Sequence, residues 1–336
     1  MNYIGSKLKL SNWIKDEIKK VAGNDLSDKT FCDIFAGTGI VGRVFKSDVK
    51  KVIANDFEYY SFVLNRNYIG NHKPIDDAQE LIDALNSLPT QDNGFIYQNY
   101  CLGSGSGRQY FSDENGKKID TIREKIEDWF KNKKIDEDRY FFLLASLLES
   151  ADKVANTASV YGAFLKKLKK SAQNELILKQ AEFEINYNSH SIFNEDSNTL
   201  IKNISGDILY LDPPYNQRQY GANYHLLNTI AEYKYFEPNG KTGLPKYKRS
   251  AYCKRGEVLN SFKELIKNAK FKYIFLSYNN EGLMSLEDIK KIFSEFGKYD
   301  LVETNYQRFK ADKTENRNHK ASSTVEYLHI LEKEKF

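Results

Sequence analysis

The stretch of the chain best suited to chemistry is a carboxylate followed by two prolines and an aromatic ring, Asp212–Tyr215. The apolar, β-favouring run before it, Ile208–Leu211, predicts a buried strand. Neither proline can donate a backbone hydrogen bond, so strand pairing ends there. Asp212 and Tyr215 are then held on stiff backbone at the carboxyl end of a strand, where open α/β sheets bind ligands. A strand end closed by a proline turn is the alternative.

The residue types at this strand end indicate a kind of substrate. An ionised carboxylate only accepts hydrogen bonds, so Asp212 suits a substrate that donates through an amino group. The ring of Tyr215 offers a flat face to a planar base, as in enzymes that extract a base from the duplex. The pattern therefore favours a site for the amino group of a nucleobase.

A second candidate site lies upstream, where a predicted strand, 31–35, runs into the glycine turn Ala36–Gly39 and a predicted helix, 40–45. Glycines at such a turn let a ligand approach the backbone at a helix N-terminus. With Gly42 the glycines match the dinucleotide fingerprint only loosely. The alternative to a ligand site here is a tight turn without a ligand. Asp56 ends the next predicted strand, where a carboxylate can accept both ribose hydroxyls of an adenosine-containing cofactor. An exposed turn aspartate is the alternative for that residue.

The elements that must position these residues follow the order of a doubly wound α/β fold. Strand and helix patterns alternate over 1–70 and again over 191–336, and two last strand patterns, 299–306 and 324–331, predict an antiparallel hairpin. Between them, 71–190 loses the alternation and shows helical patterns with glycine-rich loops. The sequence therefore predicts a Rossmann-like sheet with a terminal antiparallel hairpin and a mainly helical inserted domain.

Composition places the chain among folded globular proteins. Apolar residues make up 40% and charged residues 29% of 336 positions, and the net charge of +4 says little about partners. The three cysteines are scattered, which argues against a disulfide framework or a zinc site. No apolar run has the length of a membrane helix, and the N-terminus lacks a signal-peptide core. A cytoplasmic location is the expectation.

Several stretches together resemble the D12 class of adenine-specific DNA methyltransferases, in which a glycine motif precedes an Asp-Pro-Pro-Tyr motif. The resemblance implies a catalytic domain formed by 1–70 and 191–336, with 71–190 in the position of the family's target-recognition region. It also implies S-adenosyl-L-methionine as cofactor. The residues that it assigns to that cofactor are Tyr3 and Lys7, then Asp33, Phe35, Gly37 and Gly39 of the glycine motif, Asp56 at the ribose, Asp196 near the adenine, and Asp212.

The reaction implied by the resemblance is direct methyl transfer to N6 of an adenine flipped out of double-stranded DNA, with no metal and no covalent intermediate. Asp212 and the carbonyl of Pro213 would accept the two N–H bonds of the amine, which stabilises the positive charge that develops on nitrogen. Pro214 belongs to the same rigid catalytic motif. Tyr215 would stack on the flipped base.

Basic residues around this motif are candidates for contact with the DNA backbone. The candidates are Arg218, Lys246, Lys248, Arg249, Lys254 and Arg255, with Tyr247 and Tyr252 interleaved among the last five. A solvated loop is the alternative for the last five, and Arg218 could instead fill the gap left by the extruded base. Four basic residues of a later polar connection, Arg308, Lys310, Arg317 and Lys320, are further candidates.

Three other functions stay open. The acceptor could be RNA or a protein amide, although the large insertion and basic loops favour DNA, and Asp rather than Asn at the start of the motif favours adenine over a protein glutamine. A DNA-binding protein that has lost catalysis, or a nicotinamide dehydrogenase, are the remaining alternatives. The opening of the chain also resembles modification methyltransferases of the NlaIII type, whose target is CATG. Family habit implies a functional pairing with a restriction endonuclease.

Overall fold

The chain divides into two compact units in a computed structural model that describes residues 7–307 and 323–334. One unit is built on a sheet, which has seven strands within the described residues, and comprises 6–57, 188–219 and 249–336. The other comprises Glu58–Tyr187 and Tyr220–Lys248, and its regular elements in the described part of the chain are helices.

The sheet unit is a mixed α/β sheet of the doubly wound kind. Its strands are β1 (Thr30–Asp33), β2 (Lys51–Asn55), β3 (Ser191–Phe193), β4 (Ser205–Leu211), β5 (Lys270–Asn279), β6 (Gly297–Gln307) and β7 (Ser323–Lys333). They lie side by side in the order β3-β2-β1-β4-β5-β7-β6. The first five of these neighbours are parallel, so their carboxyl ends meet at one edge of the sheet. The chain order reverses between β1 and β4, which is where such sheets bind ligands.

The last two strands form the predicted antiparallel hairpin, and the predicted fold class is confirmed. β7 lies between β5 and β6 and is antiparallel to both. Because of that direction, β7 begins at the edge where the parallel strands end. Glu326, near the start of β7, is therefore paired with Asn279 at the end of β5.

The helices are α1 (Ser11–Ala22), α2 (Ile40–Phe45), α3 (Tyr59–Asn65), α4 (Ala78–Asn86), α5 (Phe95–Tyr100), α6 (Asp113–Lys131), α7 (Glu137–Val154), α8 (Ser197–Leu200), α9 (Tyr220–Asn223), α10 (His225–Glu232), α11 (Val258–Asn268) and α12 (Leu286–Ser294). A π-helical segment, Arg66–Gly70, extends α3, and 3-10 turns occupy Lys170–Gln173 and Ala251–Cys253. No helix in the described parts of the chain is both long enough and apolar enough to cross a membrane.

Apolar periodicity explains the helices of the sheet unit. In α11, Val258, Phe262, Leu265 and Ile266 are buried at the spacing that places them on one helix face. They join one apolar cluster with residues of the central strands, among them Leu209 of β4. The sheet that carries the candidate site is thus held rigid by a continuous core.

The helical unit has its own apolar core, centred on α7. Twelve residues of α7 are buried, and the side chain of Asp136 begins the helix by accepting from the backbone N–H of Arg139 at 2.9 Å. Leu64 of α3 and Leu226 of α10 belong to the same cluster. For this reason 58–70 and 220–248 pack with the helical unit, whereas the sequence assigned both stretches to the catalytic domain.

Candidate active site

The Asp-Pro-Pro-Tyr stretch follows β4 directly, at the carboxyl edge of the sheet. Leu209 and Tyr210 are paired with strands on both sides, which fixes the backbone that leads into Asp212. Beyond the prolines, the carbonyl of Tyr215 accepts the backbone N–H of Leu283 at 3.1 Å. Both ends of the motif are therefore anchored to the sheet unit, as a rigid acceptor site requires.

Asp212 is paired with a lysine from the start of the chain and, through it, with a carboxylate from the end. Lys7 Nζ lies 3.1 Å from Asp212 Oδ1 and 2.7 Å from Glu326 Oε1. The three side chains are largely buried, with exposed fractions of 10% for Lys7, 22% for Asp212 and 7% for Glu326. We refer to this arrangement, Glu326–Lys7–Asp212, as the ion-pair chain.

The ion-pair chain carries a net negative charge when both carboxylates are ionised. Burial raises the pKa of Asp212 to about 6; Lys7 opposes the rise, and the charge of Glu326 adds to it. Burial disfavours the ammonium of Lys7, but the two carboxylates outweigh burial and raise the pKa of Lys7 well above its usual value. Lys7 is thus a permanent cation near neutral pH, and Asp212 changes charge close to that range.

The resemblance assigned Lys7 to the cofactor, and the sequence did not identify Glu326. In the structure, the ammonium of Lys7 contacts two carboxylates of the protein. The sequence did carry a signal for Glu326. Strand alternation places this acid on the same face as the apolar Leu328 and Ile330, and the structure buries all three. The cofactor role of Lys7 stays a prediction.

The glycine turn lies between β1 and α2, on the same edge of the sheet. Gly37 and Gly39 have φ angles of 52° and 77°, a region that L side chains rarely adopt. The backbone N–H of Gly37 donates to Asp56 Oδ2 at 2.8 Å. One oxygen of Asp56, the predicted ribose acceptor, therefore stabilises the turn. The positive φ angles are the reason that the turn favours glycine.

Asp33, at the end of β1, is a buried carboxylate in an electronegative setting. Burial raises its pKa well above the usual range, and the charges of Asp212 and Asp56 add to the rise, against backbone hydrogen bonds from Phe35 and Gly42. Asp33 Oδ1 is buried, and no residue that the structure describes donates a hydrogen bond to it. Such a cluster of carboxylates suits a ligand that carries positive charge and N–H donors.

Asn55 is a buried residue of this edge that the sequence placed beside Asp56 without a role of its own. Its side-chain amide donates to the carbonyls of Ile34 and Glu195 at 3.0 and 3.1 Å and accepts from the backbone N–H of Glu195 at 3.0 Å. One side chain thus ties the loop after β1 to the loop after β3.

The two remaining cofactor candidates in the described residues have structural contacts. Phe35 packs edge-on against Tyr252, with ring centroids 4.8 Å apart. Asp196 begins α8, because Oδ1 accepts from the backbone N–H groups of Asn198 and Thr199 at 3.0 and 3.1 Å. Tyr3 lies outside the described residues. The roles predicted for these residues in cofactor binding stay predictions.

The six basic candidates for DNA contact are all exposed. Lys246 and Lys248 belong to the helical unit, whereas Arg218, Arg249, Lys254 and Arg255 belong to the sheet unit. Lys254 is paired with Glu257, with Nζ 3.0 Å from Oε1.

The expectation that Tyr252 lies between these basic residues as a DNA contact is wrong. Tyr252 is 2% exposed, and its hydroxyl donates to Asn198 Oδ1 at 2.8 Å. The adjacent 3-10 turn, Ala251–Cys253, directs this ring into the apolar core of the sheet unit. The later basic candidates, 308–320, lie outside the described residues.

The chain is similar to several known proteins. A family model for the D12 class N6 adenine-specific DNA methyltransferase matches residues 3–292. The chain is 69% identical over 333 residues to the type II methyltransferase M.NlaIII of Neisseria lactamica, with 99% of each chain covered. It is 42% identical over 315 residues to M.CviAII of Paramecium bursaria Chlorella virus 1, with 93% of each covered. Against M.FokI of Planomicrobium okeanokoites it is 38% identical, covering 99% of this chain and 53% of that protein. The resemblance seen in the sequence is confirmed: the chain belongs to the D12 class of N6 adenine-specific DNA methyltransferases.

Proposed function

We propose that this protein transfers a methyl group from S-adenosyl-L-methionine to N6 of an adenine in a short, specific sequence of double-stranded DNA. The observation that carries the proposal is Asp212: a rigidly held carboxylate at the carboxyl edge of the sheet, paired through Oδ1 with Lys7 and beside the glycine turn's acidic cluster. Membership in an adenine-specific family supports the choice of N6.

The residues around the glycine turn fit a cationic cofactor. S-adenosyl-L-methionine, when bound, supplies an electrophilic methyl group. The buried Oδ1 of Asp33, which lacks a donor among the described residues, would accept from an ammonium group. Gly37 and Gly39 admit a ligand close to the backbone, and Asp56 would accept from the ribose hydroxyls.

Asp212 prepares the acceptor nitrogen. The lone pair of an exocyclic amine is delocalised into the base, which makes the amine a poor nucleophile. Asp212 and the carbonyl of Pro213 would each accept one of its N–H bonds, which draws the nitrogen towards a tetrahedral shape. The same acceptors stabilise the positive charge that develops there, and Asp212 does so only in its ionised form. Tyr215 would stack on the flipped adenine.

The remaining proposals concern DNA. The exposed basic residues Arg218, Lys246, Lys248, Arg249, Lys254 and Arg255 would contact phosphates. The region 71–190 would contribute to target recognition. The resemblance to NlaIII-type enzymes implies CATG as the first target to test, and the type II names of the relatives support pairing with a restriction endonuclease.

The test is a transfer assay with labelled S-adenosyl-L-methionine and, separately, double-stranded DNA, RNA and protein. We expect label in DNA, recovered as N6-methyladenine. Asp212→Ala should bind the cofactor as the wild type does and lose transfer by about 10²-fold or more. Label in RNA or protein alone would overturn the choice of DNA, and an unchanged rate in Asp212→Ala would overturn the role of Asp212.

A further inference from the structure

We propose that Glu326 is a positioning residue for the methyl-transfer reaction, acting on Asp212 through Lys7. The proposal rests on the function proposed above and assigns a role to the strand that closes the antiparallel hairpin. Glu326 does not touch the carboxylate of Asp212. It determines how strongly the ammonium of Lys7, which lies between them, attracts the carboxylate of Asp212.

The topology of the sheet places Glu326 within reach of the catalytic motif. β4 and β5 are parallel, so Asp212 and Asn279 lie at the same edge of the sheet. β7 runs the other way, so its first residues arrive at that edge, and Glu326 is paired with Asn279. A parallel strand in this position would bring its last residues there instead.

The distances show that Lys7 is shared between the two carboxylates. Its Nζ lies 2.7 Å from Glu326 and 3.1 Å from Asp212, and all three groups are largely buried. The ammonium contacts Asp212 Oδ1 and leaves Oδ2 without a hydrogen-bond donor among the described residues. Asp212 is thus oriented by a cation without being neutralised by it, and one oxygen stays available to an amine.

Charge explains why two carboxylates are needed. A buried lysine with one aspartate forms a neutral pair, in which the aspartate is a weak acceptor towards a nitrogen that becomes positive. With Glu326 added, the ion-pair chain keeps one negative charge. Within the part of the chain that the structure describes, the charged and titratable groups that face Asp212 are Lys7, Glu326, Tyr210, Tyr215 and Asp33. Of these, Glu326 is the one whose contact with Asp212 runs through Lys7.

The test is the pH profile of kcat/KM for methyl transfer to DNA. The wild type should show an acid limb near pH 6, the pKa of Asp212. Glu326→Gln keeps the size of the side chain and removes its charge. Lys7 then acts on Asp212 alone, so the acid limb should move to lower pH by roughly half a unit or more, and the plateau rate should fall several-fold. Glu332→Gln is the matched control, since Glu332 lies on the same strand and is 44% exposed.

A second variant tests the same chain from its other side. Lys7→Met removes the cation, so the acid limb should move to higher pH, opposite to Glu326→Gln. If Glu326→Gln does not fold, Glu326→Asp takes its place: it keeps the charge but withdraws it from Lys7, so the acid limb should move in the same direction by a smaller amount. An acid limb of the Glu326 variant that stays at the wild-type position, with melting temperature and cofactor binding intact, would overturn the proposal whatever Lys7→Met does. A wild type without methyl transfer to DNA would instead refute the proposed function, so the two failures are distinguishable.

Discussion

At the scale of single residues, Asp212 is a carboxylate kept in surroundings that disfavour its charge. Its side chain is 22% exposed, and burial raises its pKa to about 6. An unfolded aspartate ionises near pH 3.9. The folded protein therefore binds a proton at Asp212 more tightly than the unfolded chain does, and the ionised form costs stability above pH 6. Function and stability oppose each other at this position.

Asp212→Asn should therefore stabilise the protein while it removes activity. At pH 7.5 the free energy of unfolding should rise by about 1–3 kcal/mol, since a pKa difference of one unit corresponds to about 1.4 kcal/mol. The gain should shrink as the pH falls through 6, where the wild-type carboxyl becomes protonated. Denaturant unfolding at pH 7.5 and pH 5 measures both values. The exposed Asp28→Asn is the control, expected to change stability by less than about 0.5 kcal/mol. An Asp212→Asn variant less stable than the wild type at pH 7.5 would contradict this account.

At the scale of elements, the glycine turn joins β1 to α2 through backbone that other residues adopt at a cost. Gly39 precedes α2 with φ 77° and ψ 13°, the left-handed region. The backbone N–H of Gly37 is bound to Asp56 at the end of β2, so the turn is held from a second strand. A distortion of this turn is expected to reach the proposed cofactor site directly.

Gly39→Ala should lower stability by about 1–2 kcal/mol, the cost of a left-handed residue with a Cβ, and should weaken binding of S-adenosyl-L-methionine. Calorimetric titration and thermal unfolding measure the two effects. Gly256→Ala is the matched control, because Gly256 has no positive φ and a Cβ there meets nothing within 4 Å. Equal cofactor affinity in the two variants would argue against ligand approach at the turn.

Elements with a local signal were predictable from the sequence. Ile40–Phe45 forms α2 as expected, and the run before Asp212 forms β4, because apolar periodicity and flanking glycine or proline mark both. The short helix α5, Phe95–Tyr100, was not predicted. The first turn of α5 is held by Asp120 of α6, whose side chain accepts from the backbone N–H groups of Ile96 and Tyr97. A contact between residues so far apart in the sequence leaves no local pattern.

The candidate site was predictable in part for the same reason. Motifs at strand ends identified Asp212, Gly37 and Asp56, each within a few residues of a strand. Glu326 was missed because its partner, Lys7, lies at the opposite end of the chain. The direction of β7 brings Glu326 to the edge of the sheet where Lys7 contacts it.

At the scale of the whole molecule, the basic candidates for DNA contact are distributed over both units. Lys246 and Lys248 belong to the helical unit, and the other candidates to the sheet unit. Phosphate contacts add a salt-dependent term to affinity that is nearly independent of sequence. Such contacts are expected to position DNA, while base recognition stays with other residues.

Lys246→Ala should weaken DNA binding and lower the slope of log affinity against log salt by about 1, the change for one lost phosphate contact. Binding isotherms at several salt concentrations measure the slope. Lys131→Ala is the control: Lys131 is an exposed lysine of the same unit that is paired with Glu127 and is not a predicted contact. Identical slopes in the two variants would remove Lys246 from the proposed DNA surface.

The most direct test of the central claim is a map of N6-methyladenine in the DNA of cells that express this protein. The account predicts N6-methyladenine at one short sequence in cells with the wild type and none above background with Asp212→Asn at matched protein level. CATG is the first sequence to inspect. Methylation of cytosine, or an unchanged adenine map with Asp212→Asn, would contradict the claim that Asp212 activates the amino group of adenine.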